Sequence, residues 1–216
     1  MTQGPDMIDS GFPNVHARLL VQQRQPGIPD RELELEIWLA GTRFRVRDAG
    51  GRAAYEIVGD VTAPRGLGMP VREVEDMMDR ASAGYAGPAT ELYGDLATGE
   101  GWVYPPAGDR WPKPARELAP AAAQILAGDK ATGLAIVGPE PRLGRHATAY
   151  RGQVAVSADG VPRHNEVRRV IAAPYLLYEA AHDAEADEVS YRRELVALDE
   201  GGVSDTDLTP PVRAAP

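Results

Sequence analysis

The sequence contains no cysteine, which excludes disulfide bonds, thiol catalysis and thiolate metal sites. Aromatic residues make up only 6% of the 216 residues and only two are Phe, so we expect an aliphatic core. No apolar run reaches the length of about 18 residues that a membrane-spanning helix needs, so we expect no transmembrane segment. Residues 1–9 have neither a basic start nor an apolar run. The localisation stays open: cytoplasmic as the chain is written, exported if a leader was removed.

Basic residues are outnumbered, because 23 Lys and Arg face 32 Asp and Glu, which gives a net charge of −9. Nucleic acids and anionic membranes require a basic surface, so we do not expect either as a partner. A hydrophobic content of 43% is ordinary for a globular protein, and the length suffices for one substantial core. We predict a single domain over residues 14–211, preceded by a flexible lead-in at 1–13 and followed by a disordered tail at 212–216.

The clearest pattern lies in residues 32–48, where apolar and polar positions alternate on both sides of Ala40-Gly41. This alternation predicts two antiparallel strands, 33–39 and 42–48, that each bury one face. A two-residue turn at Ala40-Gly41 aligns opposite charges and an aromatic-cation pair in one register. The predicted pairs are Leu35–Val46 and Ile37–Phe44 on the apolar face, and Glu34–Arg47, Glu36–Arg45 and Trp38–Arg43 on the polar face.

The remaining chain continues in short strands that are interrupted by two segments with helical periodicity. The helices are predicted at 71–81 and 115–127, the second ending at Gly128. Further strands are predicted at 15–23, 54–58, 91–96, 101–104, 133–137, 147–157, 166–172, 175–182 and 189–197. The sequence therefore predicts an α+β protein that is mainly β, with an antiparallel sheet and two short helices inserted between its strands.

This order of elements resembles the LolA-type lipoprotein carriers and their relatives, and three stretches carry the resemblance. Residues 36–47 are similar to a strand pair that ends in an Arg-Phe-Arg run. Residues 100–106, Glu-Gly-Trp-Val-Tyr-Pro-Pro, are similar to a glycine-then-aromatic strand that closes on proline. Residues 191–211 are similar to the final strand, polar turn and hydrophobic-to-proline ending. The resemblance implies a curved, unclosed antiparallel sheet, or half-barrel, with the helices on its concave side.

The same resemblance implies a hydrophobic ligand, such as a lipid or an acyl chain, held between the sheet and the helices. We therefore favour a non-enzymatic binding or carrier protein without a cofactor. The apolar faces of the hairpin and of the two helices supply the candidate lining of the ligand site. These candidates are Leu35, Ile37, Phe44, Val46, Met77, Met78 and Ile125, and each of them is equally suited to ordinary core packing.

Two other functions stay open at this point. Trp38 lies on the polar face of the hairpin beside arginine, which suits either a shielding cation–π pair or a protein-docking patch. An enzyme is the third alternative, but no nucleophile elbow or phosphate loop occurs and the four histidines are scattered. Residues 182–188 combine His with several acids and lack the glycine and spacing of a calcium loop, so we interpret them as a solvated turn. We assign no catalytic residue and no metal ligand.

Overall fold

The structure, a computed structural model, describes residues 11–25, 28–48, 90–105, 109–158, 161–183 and 188–211. Within these residues, β-strands dominate and one α-helix follows the sixth strand. The strands are β1 (Phe12–Gln25), β2 (Ile28–Gly41), β3 (Arg43–Asp48), β4 (Glu91–Asp95), β5 (Gly101–Tyr104), β6 (Trp111–Pro112), β7 (Ala135–Pro139), β8 (Thr148–Ala158), β9 (Val161–Ala172), β10 (Tyr175–Asp183) and β11 (Glu188–Glu200). The helix is α1 (Ala115–Ala123). No helix in the described ranges is long and apolar enough to cross a membrane.

The eleven strands form one antiparallel sheet in the order β6-β5-β4-β3-β2-β1-β11-β10-β9-β8-β7. Strands β1 and β11, which lie near the two ends of the chain, pair with each other in the middle of this order. The outermost strands β6 and β7 are not neighbours, so the sheet stays unclosed. The prediction of a mainly β protein with an open antiparallel half-barrel is confirmed.

The hairpin β2–β3 forms as predicted, but its register is shifted by two residues. Ala40 lies opposite Arg43, so Gly41-Thr42 forms the turn instead of Ala40-Gly41. Gly41 has a φ of +59°, which a residue with a side chain rarely adopts, and this conformation places the turn there. The observed pairs are Leu35–Asp48, Glu36–Arg47, Ile37–Val46, Trp38–Arg45 and Leu39–Phe44. The predicted partners were therefore wrong, while the predicted faces were right because side chains repeat every two residues.

The strand predicted at 54–58 lies outside the described residues. On its second side, β3 pairs with β4, from Arg43 opposite Asp95 to Arg47 opposite Glu91. The second neighbour of β3 in the sheet thus comes from more than forty positions further along the chain.

The helical part of the prediction needs correction. The first predicted helix, at 71–81, lies outside the described residues, so two helices are not established. The second begins at Ala115 as expected but ends at Ala123, four residues earlier than predicted. Its expected last turn bonds elsewhere: the Ala127 amide donates to the Pro174 carbonyl at 2.7 Å, and the Leu176 amide donates to the Ile125 carbonyl at 2.9 Å. These bonds to the β9–β10 turn replace the helical ones.

Helix α1 packs on one face of the sheet, where it contacts β2, β3, β4 and β5. We call this the inner face of the sheet and the opposite one the outer face. The residues that α1 buries against the sheet are Ala115, Leu118, Ala119 and Ala122. Because they belong to one continuous cluster with buried residues of β1–β5 and β8–β11, the described part of the chain has one core.

Candidate functional site

The predicted lining residues of the described part all lie on or against the inner face. Leu35, Ile37, Phe44 and Val46 are fully buried there, and Ile125 reaches the same cluster from the segment after α1. The sequence therefore identified one continuous apolar surface. Met77 and Met78, the remaining two candidates, lie outside the described residues.

Next to α1, side chains are tightly packed on the inner face of the sheet. The Phe44 ring lies so close to Gly94 of the neighbouring strand that a Cβ there would come within 2.2 Å of the ring. The Phe12 ring meets Phe44 edge-on, with 5.8 Å between the ring centroids. Phe44 and Val46 therefore serve as core at this end, and the space they fill is not open to a ligand.

The inner face becomes less covered along β1 and β2, away from α1. Leu19 and Leu35 lie opposite each other and are fully buried. The next inner pair, Val21 and Leu33, is only half-buried and packs against the edge of the core cluster. Val21 and Leu33 thus form a short, half-buried apolar strip at the edge of the packed core.

Four charged residues meet on the inner face beside this strip, and we call them the inner charge cluster. They are Lys130, Arg169, Glu179 and Arg193. Glu179 lies in the ladder between Arg169 on β9 and Arg193 on β11. Its carboxylate accepts from Arg169 Nε at 2.5 Å and from Arg193 Nη2, also at 2.5 Å. Glu179 and Arg193 are only 7% and 8% exposed, so this is a desolvated ion-pair network.

Lys130 joins the cluster from the loop that follows α1. Its backbone carbonyl accepts from Arg169 Nη1 at 2.5 Å, and its Nζ donates to the Leu126 carbonyl at 2.9 Å. Burial and then the neighbouring Arg193 lower the pKa of Lys130 to about 7, against a partial offset by Glu179. The lysine amine is therefore mainly desolvated, and Arg193 and Arg169 add to the lowering of its pKa.

Sequence reasoning missed this cluster, although a signal was present. Along β11, Tyr191, Arg193 and Leu195 share the phase that faces inward, because Leu195 pairs with the core residue Leu19. A charged residue in the apolar phase of a strand marks a buried charge that needs a partner. Only the sheet order shows that the partner, Glu179, comes from the adjacent strand.

The outer face carries the other feature singled out in the sequence. The Trp38 ring stacks on His16 of β1 at 4.7 Å between centroids, with an interplanar angle of 7°. Arg45 of β3 lies over the same ring at 4.5 Å. The cation–π partner is thus Arg45 and not the predicted Arg43, as the two-residue register shift requires. Arg43 instead forms an ion pair with Asp205.

The C-terminal segment covers part of this outer face. Arg45 Nη1 donates to the Asp207 carbonyl at 3.3 Å, and the Asn14 side chain both donates to and accepts from the Val203 backbone. Val203 and Leu208 are buried by this arrangement. Trp38 therefore lies in a ladder of ring and guanidinium contacts next to a docked segment of its own chain.

Metal and catalytic chemistry find little support in the described ranges. No group of three or more His, Asp or Glu side chains within them is placed to hold a metal ion. The residues 184–187, part of the segment interpreted as a solvated turn, lie outside the described residues. The described residues form an open half-barrel with an apolar inner face and a small buried charge cluster.

Comparison with solved structures found similar chains at low sequence identity. LprF from Mycobacterium bovis is 9% identical, with 94% of each chain covered and a TM-score of 0.43. A LolA superfamily protein from Nitrosomonas europaea is also 9% identical, with 94% of each chain covered and a TM-score of 0.37. One of the two belongs to the kind of protein that the sequence resembles, and both similarities concern the fold alone. No protein-family model and no curated protein sequence matches this chain.

Proposed function

We propose that this protein is a non-enzymatic binding or carrier protein for a lipid or another hydrophobic ligand. The single observation that supports it most is the gradient of burial on the inner face. Leu19 and Leu35 are sealed in the core, whereas the next pair, Val21 and Leu33, is only half-buried. A half-buried apolar strip at the edge of a packed core is the surface on which an alkyl chain gains free energy, at about 25 cal/mol per Å² removed from water.

The proposed ligand site begins where the packed core ends. In this proposal Val21 and Leu33 contact the ligand, and the buried residues Leu35, Ile37 and Ile125 support them from the core. Phe44 and Val46 add to this support from the packed end. Met77 and Met78 remain proposed lining residues, because flexible thioether side chains adapt to alkyl chains of different shape.

Extraction and direct binding together test the proposal. Mass spectrometry of organic extracts from the natively purified protein is expected to identify a lipid in stoichiometric amount. A fluorescent alkyl probe is expected to bind the delipidated protein, and Val21→Trp is expected to weaken this binding by about tenfold or more, since it fills the strip.

Leu20→Trp is the matched control, because Leu20 is the neighbouring residue on the outer face of the same strand. It is expected to leave probe binding unchanged. Absence of any co-purifying lipid together with equal probe binding by both variants would contradict a ligand site on the inner face.

The outer-face alternative, a protein-docking module at Trp38, has weaker support. A docking tryptophan offers its ring to a partner, whereas the Trp38 ring is already in contact with His16 and Arg45. We therefore retain the hydrophobic-ligand carrier as the proposal.

A further inference from the structure

The inner charge cluster carries more positive than negative charge in a place where water is scarce. Arg169 and Arg193 supply two guanidinium charges to the one carboxylate of Glu179, and the amine of Lys130, with a pKa of about 7, adds part of a third positive charge. Asp129, the acid next to Lys130 in the chain, is exposed. Burying charge without a full complement of opposite charge is costly, and native proteins usually avoid it unless a ligand completes the set.

The hydrogen bonding of the cluster is also incomplete. The Arg193 side chain is nine-tenths buried and uses Nη2 for Glu179, whereas its Nε is buried and has no hydrogen-bond partner among the described residues. A guanidinium donates through a planar fork that matches the oxygens of a carboxylate or phosphate. Arg45 and Arg192 also have a buried Nε without a partner among the described residues, so what distinguishes the open donor of Arg193 is its position beside the apolar strip.

The position of the cluster connects it to the proposed ligand site. Arg193 of β11 lies directly opposite Val21 of β1, which is one of the two residues of the half-buried apolar strip. Lys130 and Arg169 keep part of their surface accessible, so an oxygen atom can approach from their side. The apolar strip suits the alkyl chain of an amphiphile, and the partly accessible cationic groups beside it suit an anionic head.

We infer that the inner charge cluster binds the anionic head, a carboxylate or a phosphate, of an amphiphilic ligand whose chain lies on the strip of Val21 and Leu33. This inference rests on the proposed carrier function and narrows it from hydrophobic ligands in general to anionic amphiphiles. Lys130 and Arg193 bind the head oxygens, whereas Arg169 and Glu179 hold the Arg193 guanidinium and the Lys130 loop in place.

Three probes distinguish binding of the anionic head from binding of the alkyl chain. They are dodecyl phosphate, dodecan-1-ol and inorganic phosphate. Each is titrated into the delipidated protein at concentrations below those at which the amphiphiles aggregate. Dodecyl phosphate is expected to bind about tenfold more tightly than dodecan-1-ol, a difference of about 1.4 kcal/mol. Lys130→Met and Arg193→Gln are expected to remove this preference and to retain the affinity for dodecan-1-ol. The circular dichroism of each variant checks that the sheet is intact.

Arg192→Gln is the matched control for Arg193→Gln. Arg192 is the adjacent residue, points to the other side of β11 and pairs with Glu194 on the same strand. Its substitution is expected to leave the preference unchanged. Should Arg193→Gln fail to fold, Lys130→Met still decides the matter, because its side chain is bonded in the described structure to two loop carbonyls only.

The outcomes separate the inference from the proposal on which it rests. Equal binding of dodecyl phosphate and dodecan-1-ol overturns the head site and leaves the carrier function standing. Failure of both amphiphiles overturns the carrier function. If inorganic phosphate binds as tightly as dodecyl phosphate, the ligand is not an amphiphile and the cluster is a site for a free anion.

A spectroscopic readout does not depend on affinity. Only Lys113 and Lys130 are lysines, so ¹³C labelling of lysine Cε gives two resonances. Dodecyl phosphate is expected to raise the pKa of Lys130 above its value of about 7 in the free protein, because an anion stabilises the charged amine. An unchanged Lys130 titration in the presence of saturating dodecyl phosphate would contradict a head site at the cluster.

Discussion

The guanidinium of Arg45 lies 4.5 Å from the centroid of the Trp38 ring, on the strand that pairs with Trp38. Arg45 also bonds Glu91 of β4 at 3.0 Å and lies 5.4 Å from the centroid of the Tyr93 ring. His16 of β1 stacks on Trp38 from the other neighbouring strand. The contact therefore belongs to a row of side chains that crosses four strands of the outer face.

Because of this row, we expect Trp38→Ala to destabilise the protein by about 1–3 kcal/mol, through lost ring contacts on both sides. Urea unfolding followed by circular dichroism measures the loss. Arg18→Ala is the control, because Arg18 also lies on the outer face and, among the residues that the structure describes, forms an exposed pair with Glu34. If Trp38→Ala unfolds at the same urea concentration as the wild type, the ring has another purpose and the docking alternative regains support.

Gly94 supports the packed end of the inner face by its lack of a side chain. A Cβ there would lie 2.2 Å from the Phe44 ring, so we expect Gly94→Ala to displace that ring at a cost of about 1–3 kcal/mol. Gly202→Ala is the matched control, because a Cβ at that position has open space around it and Gly202 has no positive φ. Equal thermal unfolding temperatures of the two variants would show that the core is looser than described.

The hairpin shows which part of a fold can be predicted from sequence and which part cannot. The alternation around Ala40-Gly41 identified the inner residues Leu35 and Ile37 correctly, although both were assigned the wrong partner. Alternation sets the face of each side chain, and a shift by two residues preserves it. The turn that sets the register depends on one backbone conformation, the positive φ of Gly41, which the apolar pattern does not contain.

The inner charge cluster shows more clearly what cannot be predicted from the sequence. Its members come from the loop after α1 and from β9, β10 and β11, and their contacts depend on the strand order. Charge alone did not identify them, because Arg169 and Arg193 each stand beside an exposed or half-buried arginine, Arg168 and Arg192. The end of α1 is similar: its periodicity continued to 127, but tertiary hydrogen bonds to the β9–β10 turn ended the helix at Ala123.

Glu179 is the residue of the cluster whose loss we expect to be most harmful. Glu179→Gln leaves Arg169 and Arg193 without their shared counter-charge, and breaking a buried pair in this way costs about 3–5 kcal/mol. The unfolding free energy from urea titration measures the effect. Glu166→Gln is the matched control, since Glu166 pairs with Arg151 across β8 and β9 in an exposed position, and no measurable change is expected. A stable Glu179→Gln protein would mean that the two guanidinium groups are better solvated than described.

The edge of the sheet offers a prediction about association. Ile136 and Val137 of β7 are 71% and 60% exposed, and among the described strands β7 is outermost and pairs with β8 alone. Apolar side chains on a free edge favour strand pairing between molecules. We expect Ile136→Lys to reduce concentration-dependent light scattering without changing the unfolding temperature. Val196→Lys, an exposed substitution on the central strand β11, controls for the added charge and is expected to have no such effect.

The pH dependence of stability follows from Lys130. Its pKa is about 7 in the folded protein and about 10.5 in the unfolded chain, so between these values the unfolded state binds more protons. The unfolding free energy must then rise with pH over this interval, by up to about 1.4 kcal/mol per pH unit. Between pH 7.5 and 8.5 the three tyrosines with raised pKa values, Tyr93, Tyr175 and Tyr191, stay protonated in both states and do not interfere.

Lys130→Met removes the titrating group, so we expect its unfolding free energy to rise less steeply with pH than that of the wild type. Lys113→Met is the matched control, because Lys113 lies at the start of α1 in a pair with Glu117 at 3.7 Å, away from the inner charge cluster. Urea titrations at several pH values measure the three slopes. The same slope for Lys130→Met and the wild type would place the Lys130 amine in water, and the desolvated environment on which the anion site depends would then be absent.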